Sequence, residues 1–161
     1  MNLRIPDTAV TVNRILAPTD LSELSLAALP QALFFARNFS AELVLLHVIE
    51  TFPIDYMVGL NDSKKINAAL EERAQEQIEE IAGRISYPNI KTAIRWGKPF
   101  QEIIDAAKEL KANMIVLATH GHTGLKHVYL GSTAERVVRH ARCPVLVVRS
   151  ETLQKMLPPR Q

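Results

Sequence analysis

The chain has 161 residues, 47% hydrophobic and 22% charged, with a formal net charge of +2, which suits one domain burying roughly 68–70% of its unfolded surface. Charge this close to balance argues neither for a nucleic-acid-binding surface nor for a membrane-attracted one, and neither partner is expected. The single cysteine, Cys143, excludes an intramolecular disulfide, no apolar run nears the ~18 residues that span a bilayer, and Met1–Asp7 carries no apolar leader, so a cytoplasmic setting is expected.

Residues 1–12 read as an N-terminal extension to a single domain over 1–161. Ile15–Ala17 is a short first strand that Pro18 ends. A helix follows from about Ser22 to Phe39, with Leu26, Leu29, Leu33 and Ala36 stacked on one face. Pro30 lies inside it and predicts a kink or a displaced start. Glu42–Ile49 is a second strand, and the consecutive apolar residues Leu43–Leu46 mark it as covered on both faces. Residues 50–62 form an irregular connection.

A long helix spans about Ser63–Ile85. Ile66, Leu70, Ala74, Ile78, Ile81 and Ile85 make its apolar stripe, and five glutamates from Glu71 to Glu80 its wet face. Ile90–Arg95 is a third strand. Gly97-Lys98-Pro99 opens the next helix with proline in the first turn, where its missing N–H costs little. A strand over 114–118, a loop over 119–131, a helix over 133–142 and the strand Val145–Val148 follow. Residues 150–161 read as a C-terminal tail.

Five strands alternating with four helices predict an α/β fold: an open five-stranded parallel sheet with right-handed crossovers and helices on both faces. Ligands bind such sheets beyond the strands' C-terminal ends, where strand order reverses. Pro18-Thr19-Asp20 and the loop from Thr119 to Gly131 both open onto that end. If strands one and four are neighbours, they face each other across one crevice.

The loop after strand four is the most informative segment. Ala118-Thr119-His120-Gly121-His122-Thr123-Gly124, followed by Gly131 and Ser132, lies between a buried strand and a helix N-terminus. Unpaired N–H groups, the helix dipole and close backbone approach at glycine suit a phosphate there. The spacing is neither G-x-x-x-x-G-K-[ST] nor G-x-G-x-x-G, and G-x-S-x-G is missing too.

Three segments resemble the universal stress protein family: Thr119–Leu125, Leu130–Val137 and Cys143–Arg149. The family pattern is G-x-x-G, nine residues, then G-[ST]; here Gly121 and Gly131 enclose nine residues and Ser132 follows. Ile15–Asp20, Leu45-Leu46-His47-Val48 and Gly97-Lys98-Pro99 match further landmarks, so the resemblance covers about residues 13–149. It implies a Rossmann-like sheet of the adenine nucleotide alpha hydrolase-like type, strand order 3-2-1-4-5, usually in a homodimer.

In the ATP-binding branch of that family, the resemblance places Pro18, Thr19 and Asp20 at the adenosine, with the acid reaching the ribose. Val48 would touch adenine through its backbone. Ala118, Thr119, His120, Gly121, His122, Thr123 and Gly124, with Gly131, Ser132 and Thr133, would surround the phosphates, with Mg²⁺ or Mn²⁺ carried by the nucleotide. Ala118 stands where the pattern has its first glycine. Its methyl could crowd a ligand, and a positive φ there would cost on the order of 1 kcal/mol.

Several residues carry simpler readings. Ser132 and Glu135 form an S-x-x-E capping box, compatible with phosphate contact; Asp20 could cap the first helix. His120, His122 and His127 lack a nearby cysteine or carboxylate, and no metal site is assigned to them. His47 reads as a satisfied core histidine. Arg136, Arg139, His140 and Arg142 suit a helix C-terminus, and Cys143 suits packing. The apolar strand 145–148, if at a sheet edge, would pair with a second copy. The function expected is a nucleotide-dependent homodimeric switch that binds ATP. The alternatives are a nucleotide-free scaffold and a slow ATPase, the last with no general base evident other than the histidines of the phosphate loop and no catalytic residue assigned.

Overall fold

The structure, a computed structural model, describes residues 11–51, 60–119 and 130–149. Among these, one parallel sheet has five strands in the order β3-β2-β1-β4-β5: β1 Arg14–Thr19, β2 Glu42–Glu50, β3 Ile90–Gly97, β4 Met114–Ala118 and β5 Val145–Val148. Five helices connect them: α1 Glu23–Leu26, α2 Leu29–Phe39, α3 Leu60–Gly83, α4 Pro99–Glu109 and α5 Ser132–His140. The fold class and strand order are those expected. No helix of the described residues is long and apolar enough to cross a membrane.

Side chains alternate across each strand, so each strand feeds two cores. Ile15, Ala17, Leu43, Leu45, Val116 and Ala118 join Ala28, Ala32 and Ala36 beside α2 and Ile78 of α3 on one face. Leu16, Val44, Leu46, Ile115 and Leu117 meet Ile103 and Ala106 of α4 and Ala134 and Val137 of α5 on the other. Val12, expected in the extension, is 5% exposed and belongs to the first core.

The expected first helix is two. Ser22 caps α1, whose C-cap is Ala27, and α2 restarts at Leu29 with Pro30 in its first turn. Proline there lacks an N–H that would have no helical partner anyway, so a displaced start satisfies the backbone where a kink would not. The stripe of α3 is buried at Ala74 and Ile78, but Ile66 and Leu70 are exposed.

Pro18 does not end β1. The ladder to β2 continues through Pro18↔Leu46 and Thr19↔His47, while that to β4 covers Ile15 and Leu16. Asn13 accepts from Glu42 on the β2 side and Arg14 from Asn113 on the β4 side. By alternation the Pro18 nitrogen faces β4, so its missing N–H ends the β1–β4 ladder at Leu16 while the β1–β2 ladder runs on. The strand order reverses between β1 and β4.

Candidate functional site

The candidate site lies beyond the C-terminal ends of β1 and β4, where the strand order reverses and open α/β sheets take ligands. Two segments reach it: residues 18–22 at and beyond the end of β1, and Ala118-Thr119 at the end of β4 with Leu130–Thr133 at the start of α5. The expected neighbours, strands one and four, are indeed paired. His120, Gly121, His122, Thr123 and Gly124, with His127, lie outside the described residues.

α5 begins on Gly131, an N-cap with extended backbone (φ −64°, ψ 150°) and no side-chain capping bond. The capping box expected at Ser132 does not form: Ser132 is the first helical residue, and Glu135 instead meets Arg139 at 2.8 Å. A glycine cap has no side-chain oxygen to offer, so the cap residue itself supplies no acceptor for the first-turn N–H groups. Gly131 also sits close to β4. Its N–H donates to the Thr119 carbonyl at 2.8 Å, and a Cβ on Gly131 would lie 2.8 Å from the same oxygen. Thr119 N–H in turn donates to Val148 at 2.8 Å, tying the turn to β5.

The sheet faces sort the other expected site residues. Val48 packs with the second core, the face that carries α5. Pro18, following Ala17 of the first core, points to that same face. Ala118 belongs to the first core, so its methyl points away from α5. Nor does Ala118 need a positive φ. Among described non-glycine residues only Leu21, Ser40 and Lys111 have one. The backbone penalty attached to this alanine is therefore absent, and its methyl lies in the first core. Thr19 also turns to the first face, where its hydroxyl lies 2.7 Å from that of Ser25.

Asp20 does not cap α1. Ser22 does, accepting from Ser25 N–H, while Asp20 Oδ1 accepts from Ser22 N–H at 3.0 Å and from Ser22 Oγ at 2.5 Å. Sequence reasoning passed over Ser22 and Ser25, although D-x-S-x-x-S offers both a turn acceptor and a cap. His47 is half-buried and satisfied, with Nδ1 2.9 Å from the Thr19 carbonyl.

The basic end of α5 is a partly paired surface. Arg136 stacks 4.9 Å from the Phe100 ring centroid, and His140 lies 2.8 Å from the Arg136 carbonyl. Cys143 is half-buried, and burial pushes its thiol up, away from the reactive thiolate.

The family model described as the universal stress protein family matches residues 11–149. Universal stress protein MJ0531 of Methanocaldococcus jannaschii is 36% identical, over 84% of this chain and 81% of its own. MJ0577 of the same organism is 32% identical over 88% of this chain and 97% of its own; its solved structure superposes with a TM-score of 0.72, over 87% of this chain and 97% of that one. UspA from Lactobacillus plantarum gives a TM-score of 0.71 at 32% identity, over 88% and 100%.

Proposed function

Because this chain belongs to the universal stress protein family, we propose that it is a regulatory protein that binds ATP in the crevice between β1 and β4 and acts as a homodimeric switch. The observation that carries this reading is the start of α5. A helix N-terminus without a side-chain cap lies beyond β4, and Gly131 lies so close to Thr119 that no Cβ fits. N–H groups with a partial positive charge suit an anionic phosphate, and a side chain at residue 131 would close the approach.

In this reading Gly131, Ser132 and Thr133 hold phosphates together with 118–124, and Pro18 and Val48 flank the adenine. Asp20 takes the ribose, and Thr19 contributes backbone. Mg²⁺ or Mn²⁺ arrives on the triphosphate and supplies charge neutralisation. The whole of 1–161 works as one domain in the cytoplasm.

The homodimer would form through β5, an edge strand of the sheet. An uncovered edge carries a row of unpaired backbone groups, and a second copy would satisfy them.

Calorimetric titration of nucleotide-stripped protein with Mg·ATP tests the reading, with Asp20→Ala as the weakened control. Saturation near one ATP per chain, with weaker binding by the control, supports it. No heat at millimolar ATP from folded dimer would leave a nucleotide-free scaffold as the better description. Release of phosphate during the titration would instead favour a slow ATPase.

A further inference from the structure

The end of β1 is held by a hydrogen-bond circuit whose direction can be assigned donor by donor. His47 in β2 places Nδ1 2.9 Å from the Thr19 carbonyl. A carbonyl only accepts, so the imidazole carries a proton on Nδ1 and donates it. Ser25 Oγ donates to the Ser22 carbonyl at 2.9 Å, which commits its single proton. Thr19 is therefore the donor in the 2.7 Å contact between the Thr19 and Ser25 hydroxyls. The same Thr19 oxygen accepts from Leu21 N–H at 2.9 Å. Ser22 N–H and Ser22 Oγ–H then converge on Asp20 Oδ1.

This circuit fixes an unusual backbone. Leu21 has φ +65°, a conformation that a leucine keeps only where its surroundings hold it. Thr19 and Ser25 are each 8% exposed, so water competes weakly for their bonds. His47, Thr19 and Ser25 all lie on the α2 face of the sheet, opposite the face that Pro18 and Val48 share with α5. The chain of bonds that these three side chains begin ends on the carboxylate of Asp20, just beyond β1.

We propose that His47 and Ser25 are positioning residues for the sugar of a bound nucleotide. Acting through Thr19 and Ser22, they set the direction in which Asp20 presents its carboxylate. The proposal rests on the nucleotide reading above and adds to it the residues that determine hydroxyl selectivity. A merely structural circuit would change stability, or weaken all nucleotides alike. A positioning circuit changes how well the protein tells a ribose from a deoxyribose.

The test is titration of the full chain and of His47→Leu, Ser25→Ala and His47→Asn with the Mg²⁺ complexes of ATP, 2′-deoxyATP and 3′-deoxyATP. Thermal unfolding of each variant establishes that it folds, and Ser25→Ala, which removes one oxygen, is the milder change. The unaltered chain is expected to favour ATP over at least one deoxy analogue by about tenfold or more, the scale of a hydrogen bond to a charged acceptor. His47→Leu and Ser25→Ala are expected to shrink that preference to about threefold or less, with affinity for the deoxy analogue itself nearly unchanged. His47→Asn is expected to restore it, because Asn Nδ2 stands as many bonds from Cα as His Nδ1 and also donates. Undiminished preference in folded His47→Leu and Ser25→Ala overturns the positioning role while ATP binding stands. Absence of ATP binding by the unaltered chain overturns the nucleotide reading and this proposal with it.

Discussion

Gly131 gives its N–H to the carbonyl of Thr119, and that same oxygen occupies the space a Cβ on residue 131 would need, at 2.8 Å in both cases. Glycine is required here by close approach, since its φ of −64° is open to any residue. The obstructing atom belongs to the backbone, so a side chain could be admitted only by moving Thr119 or Gly131. Gly131→Ala is expected to destabilise the nucleotide-free protein by about 1–3 kcal/mol, the range for overpacking a tight site. Scanning calorimetry would show a melting temperature several degrees lower. An unchanged midpoint would mean that the turn shifts without strain.

Ala118 makes the opposite prediction. Its methyl packs into the α2-side core while α5 and Val48 lie on the other face. Restoring the family's glycine through Ala118→Gly is expected to leave ATP affinity within about twofold, because the position keeps no polar contact that the change removes. Stability falls instead, by about 1–2 kcal/mol, from the lost buried methyl and the added freedom of the unfolded chain. Paired titration and urea unfolding separate these effects. A tenfold gain in affinity would show that the methyl does obstruct the ligand.

The features legible in the sequence are those that one strand or one glycine spacing determines alone. Leu43–Leu46 announces a strand covered on both faces, and Gly97-Lys98-Pro99 opens α4 as expected, with Lys98 as its N-cap. What escaped depends on which side a group faces. Pro18 looks like a terminator, yet the Asn13 and Arg14 carbonyls reveal that its nitrogen faces β4, so it ends that ladder and leaves the one to β2 intact. Asp20 and Ser132 both look like caps, because each precedes a helix by the right distance, yet Ser22 and Gly131 take those positions. The competition lay between neighbouring residues of similar chemistry, and backbone dihedrals decide it. The resemblance to a family supplied the strand order, which periodicity does not contain.

At the other end of the sheet, Glu42 joins three strands. Its carboxylate meets Arg14 of β1 and Lys91 of β3, each at 2.5 Å, and its side chain is 13% exposed. The bond from Lys91, followed by that from Arg14, holds the Glu42 carboxyl below its ordinary value against the cost of burial. A lowered folded-state pKa stabilises the protein above the unfolded carboxylate's pKa of about 4.3. That contribution is lost as pH falls through the lower folded value. Lys91 is largely exposed and screened by solvent, so Glu42→Gln is expected to cost about 1 kcal/mol at pH 7. In urea unfolding the gap between the two proteins is expected to narrow steadily below about pH 4. A gap that stays constant down to pH 3 would show that the charge of Glu42 contributes nothing.

The edge strand allows a direct test of the proposed dimer. Pro144 and Val148 accept from Ile115 of β4 and from Thr119 just beyond it, so the even-numbered residues of β5 face that neighbour. By alternation Val145 and Val147 direct their N–H and C=O groups outward, to the edge a second copy would use. Val147→Pro deletes one outward donor and no bond to β4, and edge strands tolerate proline. In a twofold dimer the change removes two symmetric bonds, worth about 1–3 kcal/mol together, which weakens association roughly tenfold or more. Sedimentation equilibrium is expected to show monomer at concentrations where the unaltered chain is dimeric. Val147→Thr keeps the N–H and the branched shape, and is expected to dimerise as the unaltered chain does. If Val147→Pro folds and remains fully dimeric, the two copies meet elsewhere than along the backbone of β5.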